Sequence, residues 1–429
     1  VQGSTSTGEF VFEAVEADPV SSVLYDEHVK LTSKSRIAAF AGYLMPLWYS
    51  SIAEEHRAVR ERAGLFDCTH MGVLEVSGDE AAGFLDAVTT NEVGGLKVGR
   101  ARYSYILDAA GNVLDDIIIY RRGEDNFMVV VNAANEPKIQ SYLRGLLAGR
   151  IVIETGRADR KLGLHPTIRD MRAGDRSADR RVDIALQGPA TIDTLAKLAD
   201  DASLAECVAG LKSFAFVEGR LAGIDSLICR TGYTGAKIGV ELFVDPEHAA
   251  TLWNRILEAG KPLGVLPCGL GARDSLRIEA GLPLYGHELG GKLRISPFAA
   301  GYGWAVKLGK EFFIGKAAMA RVATTYDMEV ARLELPATRG VRPVRPHDAV
   351  LGEDGRCVGW VLSAAKVQEQ QYALAYVDRA AAGAGKVLGV YYLARSASQV
   401  EQGRKQAVEK GQKLAADLAG TVVSRFAKY

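Results

Sequence analysis

Cysteine is scarce in this chain, and where it occurs it stands alone: five residues in 429, at positions 68, 207, 229, 268 and 357, with no CxxC among them. An odd number of widely spaced cysteines excludes a disulfide framework and fits a reducing compartment. The seven histidines are just as scattered, with no HxxxH or HExxH pair, so no metal site is expected. An excess of either charge is lacking as well. Lys plus Arg equals Asp plus Glu at 52 each, so no overall field draws in nucleic acid or an anionic membrane, and an anionic ligand must be met locally. No apolar run approaches the roughly 20 residues of a membrane span. The opening VQGSTSTGEF has no basic-then-apolar signal pattern, and the expectation is a cytoplasmic protein. Familiar nucleotide and hydrolase signatures are missing: GLGARD (269–274) is not GxGxxG, and neither a Walker A sequence nor GxSxG occurs.

What is present is ordinary globular composition, 48% hydrophobic and 24% charged, over a length that suits two or three domains. Residues 1–36 read as a polar, loosely attached lead-in. Ile52, Val59 and Ala63 recur at helical spacing through 51–64, and the helix stops at Gly64. GLFDCTHMGVLEVSG then alternates like a strand. A helix follows with Asp79 and Glu80 in its first turn. The clearest β pattern runs from 101 to 135: two β-rich runs flank a turn at 108–112, and a third covers 127–131, which predicts an antiparallel meander. A helix is expected at 136–147. The basic, turn-rich stretch 156–182 reads as an insertion whose arginines form a solvated loop. A strand and tight turn (DIALQGPAT, 183–191), a helix at 192–199, a β-rich pair through 244 and helices at 247–259 and 269–281 complete the first part. From 326 onward the texture is short strands and turns, a small β-rich C-terminal domain. Within it, 396–419 reads as one charged helix, because Glu401–Lys405 and Glu409–Lys413 are spaced i,i+4. A terminal strand at 421–426 follows.

Three clusters carry chemistry. In LDDIII (114–119), side chains alternate across a strand, so Asp115 and Asp116 face opposite ways and at most one shares the side of Ile118. A carboxylate at a buried strand start needs donors, and both turn capping and ligand binding are open. In TGYTG (231–235), glycine permits a tight loop and close approach to a flat ligand, while Tyr233 offers a ring and a hydroxyl. Glu241 stands on an otherwise apolar strand and wants paired N–H donors. A guanidinium or the amino-pyrimidinone edge of a pterin would supply them. In ARDSLRIE (272–279), Arg273 and Arg277 lie one turn apart on one helix face, suited either to internal ion pairs or to an anion. His70 and Met71 follow the strand-like LFD, the histidine being structural or catalytic.

Taken in order, FAGYLMP, EEHRAVRERAGLFDCTHM, GNVLDDIIIY, FMVVVNAAN, ALQGPAT, RTGYTGAKIGVEL, CGLGARDSLRIEAGLPLYGHE, GWAVKL and FIGKAAM resemble the glycine cleavage T-protein family over about residues 37–390. The resemblance implies a three-domain, cloverleaf-like α+β fold with antiparallel sheets. It divides the chain into a lead-in (1–36), a folate-binding catalytic region (37–325) and a β-rich C-terminal domain (326–429). It implies tetrahydrofolate near the centre, with Asp116 in the catalytic position and Met71, Tyr103, Asn132, Tyr233, Glu241 and Arg273 at folate-pocket positions. Asp115 would then be a structural partner pointing away. The implied reaction moves an aminomethyl group from a lipoylated carrier protein to tetrahydrofolate with release of ammonia. Two alternatives from the same kinship are a folate-dependent demethylase and a non-catalytic folate-binding protein. The latter carries a cysteine before the loop tyrosine, where this chain has Gly232. The chain departs from the family in its GYTGAKIGVE loop, in PFAAG (297–301) and in VLSA (361–364), segments where a carrier or donor would dock.

Overall fold

The computed structural model describes residues 8–14, 17–175 and 177–427. By compactness the chain divides into two units: residues up to Arg273 together with Trp304–Arg321, and Asp274–Gly303 together with 322–429. Residues 274–303 therefore group with the C-terminal unit, although the sequence reading kept all of 37–325 together.

The first unit is built on two large sheets, beside a three-stranded one in the order Val20–Ser21, Tyr43–Pro46, Ile37–Phe40. The five-stranded sheet runs Arg100–Leu107, Val113–Arg121, Asn126–Val131, Gly72–Ser77, Thr167–Asp170 in spatial order, antiparallel throughout. Its first three strands are the predicted meander. Their turn is closed by Asp108, whose Oδ1 accepts from the Asn112 amide at 2.8 Å, while Gly111 takes φ +85°. The six-stranded sheet runs Phe216–Leu221, Ile224–Cys229, Gly239–Val244, Val182–Gln187, Ala63–Asp67, Val265–Cys268, antiparallel except for its last pair. The run 64–78, read as one strand, is two strands in different sheets, with Cys68–Met71 as the corner between them.

Alternation along these strands builds three cores. Ile117, Ile119, Val129 and Val131 pack beneath the helices Ala81–Val88 and Glu136–Leu147. Ile184, Leu186, Val240, Leu242 and Val244 pack against Leu252, Trp253 and Ile256 of the helix Pro246–Gly260. The opposite faces meet each other: Val73, Ala101, Tyr120, Met128 and Val130 from one sheet join Phe216, Leu227, Cys229 and Phe243 from the other, with Met71 and Ile118 at the edge. This face between the sheets carries the candidate site.

Two expectations for the first unit need correction. Residues 20–36 are not a loose lead-in. His28, fully buried on the helix Tyr25–Leu31, bonds to Asp67 Oδ2 at 2.8 Å and to the Tyr49 hydroxyl at 2.8 Å, and Ser22 donates to the same carboxylate oxygen. Burial pushes the Asp67 carboxyl up, but the His28 bond and charge, His70 and the Thr69 amide outweigh it and bring it down to about 2. Positions 1–7 of the lead-in lie outside the described residues. The 156–182 stretch is likewise more than a solvated loop. Thr167–Asp170 is the edge strand of the five-stranded sheet, and four arginines of the stretch are internally paired: Arg169 with Glu75 at 3.0 Å, Arg172 with Glu136 at 3.2 Å, Arg180 with Asp245 at 3.0 Å and Arg181 with Asp179 at 2.7 Å.

The second unit contains a closed six-stranded barrel, Met328–Pro336, Gln370–Asp378, Cys357–Val367, Ala349–Leu351, Val387–Tyr391 and Leu418–Val423, the last pairing with the first. The terminal strand thus begins at Leu418 instead of 421. The helix expected at 396–419 is only Ala397–Glu401, capped by the Ser396 side chain. Gly403 and Gly411 adopt φ +86° and +83°, which ends a helix, and the segment between them serves the barrel. Val408 is buried with Leu351 and Cys357, and its carbonyl accepts from the Trp360 indole at 3.0 Å. Among the described residues no helix is long and apolar enough to cross a membrane.

Candidate active site

The strand Val113–Arg121 presents Asp116, Ile118 and Tyr120 to the face between the sheets, and Asp115, Ile117 and Ile119 to the opposite core. The alternation argument holds: the two adjacent acids diverge. Asp115 is fully buried and saturated with donors, taking the Asn132 amide N–H at 2.9 Å, the Asn132 side chain at 2.9 Å and the Asn135 side chain at 2.5 Å. Lys138 donates to Asn135 Oδ1 at 2.9 Å and fixes the orientation of that amide. Asp116 is only partly buried. Its Oδ2 accepts from the Tyr103 hydroxyl at 3.0 Å and its Oδ1 from Asn132 Nδ2 at 2.8 Å. Asn132, a pocket position in the resemblance, therefore bridges both acids. Desolvation pushes both carboxyls above their ordinary value. The Asp116 charge adds to this at Asp115, while Tyr103 and Asn132 pull Asp116 back toward the ionised form.

Tyr103 stands on the neighbouring strand Arg100–Leu107, where it pairs with Ile118 and so lies diagonally from Asp116. Trp304, which is 53% exposed, leans on its ring with centroids 5.8 Å apart. GWAVKL carries no local signal, in charge or spacing, that marks this tryptophan as part of the site.

The second half of the site comes from the six-stranded sheet. Val240, Leu242 and Val244 belong to the helix-covered core, so Glu241 and Phe243 face the other sheet. Glu241 Oε2 accepts from the Thr231 hydroxyl and from the Tyr120 hydroxyl, the latter at 3.3 Å. Burial raises its carboxyl, opposed by Thr231, the Arg273 charge and Tyr120. Tyr120 links the two halves, four residues or about 13 Å along its strand from Asp116. Arg273 donates to Cys68 Sγ at 2.6 Å, and its guanidinium lies 5.5 Å from the centre of the half-buried Tyr233 ring.

The loop that carries Tyr233 is set by Gln187, another residue the sequence reading passed over. Its amide donates to the carbonyls of Thr231 at 3.2 Å and Val240 at 3.1 Å, and accepts from the Thr234 hydroxyl at 3.0 Å. A Cβ at Gly232 would come within 2.0 Å of Gln187 Oε1, and one at Gly239 within 2.4 Å, so a side chain at either place would push this amide off its hydrogen bonds. Arg277, which shares a helix face with Arg273, has a different task. It is buried in the second unit, bonded to Glu288 at 2.6 Å, Asp274 at 2.8 Å and Ser363 of the VLSA segment at 2.9 Å. Internal ion pairing therefore accounts for Arg277, whereas Arg273 lies in the field of the Cys68 thiol, Glu241 and Asp183. His70 is buried at the corner between the sheets. Desolvation, with the Arg273 charge, lowers it to about 4, so it is neutral at physiological pH.

Within the first unit the structure thus assembles two groups of sequence-predicted residues on one face: Tyr103, Asp116 and Asn132, and Tyr233, Glu241 and Arg273, with Met71 at the margin of the core between the sheets. The donor set suits a flat ligand with N–H groups beside a carbonyl, since a buried acceptor acid stands next to a guanidinium. Buried polar atoms without a hydrogen-bond partner among the described residues occur nearby at Thr69 Oγ1, His70 Nδ1 and Asp183 Oδ1. They fit a site completed by a polar ligand. Among the described residues no cluster of histidine, cysteine and acids is suited to a metal.

A family model described as the GCVT N-terminal domain matches residues 24–310. The aminomethyltransferase of Streptomyces coelicolor is 41% identical over 349 residues, covering 81% of this chain and 86% of its own length. That of Symbiobacterium thermophilum is 40% identical over 379 residues, covering 87% of this chain and 93% of its own length. The crystal structure of the glycine cleavage system aminomethyltransferase T from Bartonella henselae matches with a TM-score of 0.73 at 29% identity, over 94% of this chain and 97% of that one.

Proposed function

The chain belongs to the GCVT family, and from that premise we propose that it is a tetrahydrofolate-dependent aminomethyltransferase of glycine cleavage, acting in the cytoplasm on the lipoyl arm of a carrier protein. One observation above all supports the catalytic assignment: Asp116 is the acid of the LDD pair that turns to the face between the sheets, held there by Tyr103 and Asn132. Glu241 and Arg273 would grip the pterin edge, with Tyr233 against its face and Met71 lining the pocket.

Bound tetrahydrofolate supplies the nitrogen nucleophile that takes the one-carbon unit. In the overall exchange the carbon leaves sulfur and nitrogen for the two folate nitrogens. The two folate N–H protons go to the departing ammonia and the dihydrolipoyl thiol, and 5,10-methylene-tetrahydrofolate is the product. The protein contributes alignment and a counter-charge. The strand fixes the position of Asp116, and its two donors favour the carboxylate, which faces the positive charge that develops as ammonia leaves. Asp115, saturated by Asn132 and Asn135, keeps that strand end rigid and takes no part in the chemistry.

Incubation with aminomethylated, lipoylated carrier and tetrahydrofolate should release ammonia and form methylene-tetrahydrofolate in equal amounts. Formation of methyl-tetrahydrofolate from small S-, N- or O-methyl donors, with no ammonia from the carrier, would replace this reading with that of a demethylase. Folate uptake without either reaction would leave a binding protein.

A further inference from the structure

We propose that Asp183 is a second acid of the folate-recognition pocket, its unpartnered carboxylate oxygen accepting an N–H from the pterin edge beside Glu241. The inference rests on the folate reading above and goes beyond it by adding a residue which that reading does not use.

Asp183 lies on the strand Val182–Gln187, between Gly239–Val244 and Ala63–Asp67. Val182, Ile184 and Leu186 point into the helix-covered core, so Asp183 points to the face between the sheets. On the adjacent strand Glu241 pairs with Ala185 and shares that face, which makes the two acids diagonal neighbours. The Asp183 carbonyl accepts from the Cys68 amide at 3.2 Å, and the Cys68 thiol receives the Arg273 guanidinium, so the cation belongs to the same cluster. Asp183 is 3% exposed, and its Oδ1 has no hydrogen-bond partner among the described residues.

A buried carboxylate oxygen without a donor is destabilising, and at this place an apolar side chain like its strand neighbours would fold more easily. Desolvation pushes this carboxyl up, and the Glu241 charge pushes it further, against the pull of Arg273. The chemistry of the ligand answers the imbalance. A pterin edge offers the ring N3–H and two hydrogens on its 2-amino group. Glu241, whose Oε2 already serves Thr231 and Tyr120, has capacity for part of that set. The remaining 2-amino hydrogen calls for another acceptor, and Asp183 Oδ1 supplies it, leaving Arg273 for the neighbouring carbonyl.

The test is a cycle between residue and ligand, read as dissociation constants by calorimetry. Wild type, Asp183→Asn and Asp183→Leu are each titrated with tetrahydrofolate and with its 2-desamino analogue, and thermal midpoints are recorded beside them. Asp183→Leu should fold at least as stably as wild type and bind tetrahydrofolate about ten- to a hundredfold more weakly. Its preference for tetrahydrofolate over the analogue should shrink by a similar factor. Asp183→Asn, which keeps an acceptor oxygen, should fall between. Wild-type affinity and an unchanged preference in Asp183→Leu would overturn the proposal, as would an equal loss of both ligands, the mark of a merely structural role. Failure of wild type to bind tetrahydrofolate at all would instead remove the folate reading itself.

Discussion

Replacing Tyr103 with phenylalanine removes a single hydroxyl and leaves its ring beside Trp304, which makes it a clean probe of Asp116. That hydroxyl donates to Asp116 Oδ2 at 3.0 Å, and Asn132 remains as the other donor. A hydrogen bond to a charged group contributes about 1.5–3 kcal/mol, and because Asp116 is partly exposed the lower end applies. The bond stabilises the carboxylate over the carboxylic acid, so its loss raises a value that desolvation has already raised. At about 1.4 kcal/mol per pH unit, the expected displacement is roughly one unit upward. The assay is kcat/KM for ammonia release from the aminomethylated carrier, measured between roughly pH 4.5 and 8. Wild type should lose activity on the acid side at a pH above the ordinary carboxylate range. Tyr103→Phe should lose it about one unit higher, with a smaller change on the alkaline plateau. Superimposable acid limbs, or a limb displaced downward, would refute the assignment of that limb to Asp116.

Acid stability tests the buried pair in the N-terminal segment. Asp67 stands at about 2 in place of its ordinary 3.8, so its contribution, roughly 2 kcal/mol, is present above about pH 4 and is lost as the pH falls toward 2. Denaturant midpoints measured across that window should decline in wild type and decline much less in His28→Gln. An equal slope in both would rule out the pair as the cause. Gly232→Ala places a Cβ within 2.0 Å of Gln187 Oε1 and should displace the loop bearing Tyr233. Tetrahydrofolate affinity should fall by tenfold or more, on the scale of about 1.4 kcal/mol per decade, and a wild-type dissociation constant would show that the loop adapts at no cost.

How much of this was legible in the residues depended on what each signal encodes. The divergence of Asp115 and Asp116 follows from period-two alternation alone, and so does the single acid at Glu241, because a strand has only two faces. The same signal is present at Asp183, an acid among apolar strand residues, but the run there is short and leads straight into the QGP turn, which masks it. Arg273 and Arg277 looked equivalent because a helix face records direction and not the partners that tertiary structure brings to it; Glu288 and Ser363 come from distant segments. The charge spacing at 401–413 is compatible with a helix, yet it carries no information about the left-handed glycines at 403 and 411 or about Val408 filling a hole beside the barrel. His28 was invisible for a related reason. A lone histidine on a seven-residue helix has no pattern, and its meaning lies in Asp67 and Tyr49, residues that only folding places beside it.

The most direct measurement is single-turnover ammonia release by Asp116→Asn, with carrier and tetrahydrofolate saturating and with the folate dissociation constant determined on the same preparation. The amide keeps the shape of the acid and an acceptor oxygen for Asn132, turns the other atom into a donor that the Tyr103 hydroxyl can accept, and removes the charge. Near-normal folate binding is expected, with a rate reduced by about 10²–10³, the range found when a positioned electrostatic group is deleted. An unaltered rate with folate bound would contradict the role given to Asp116.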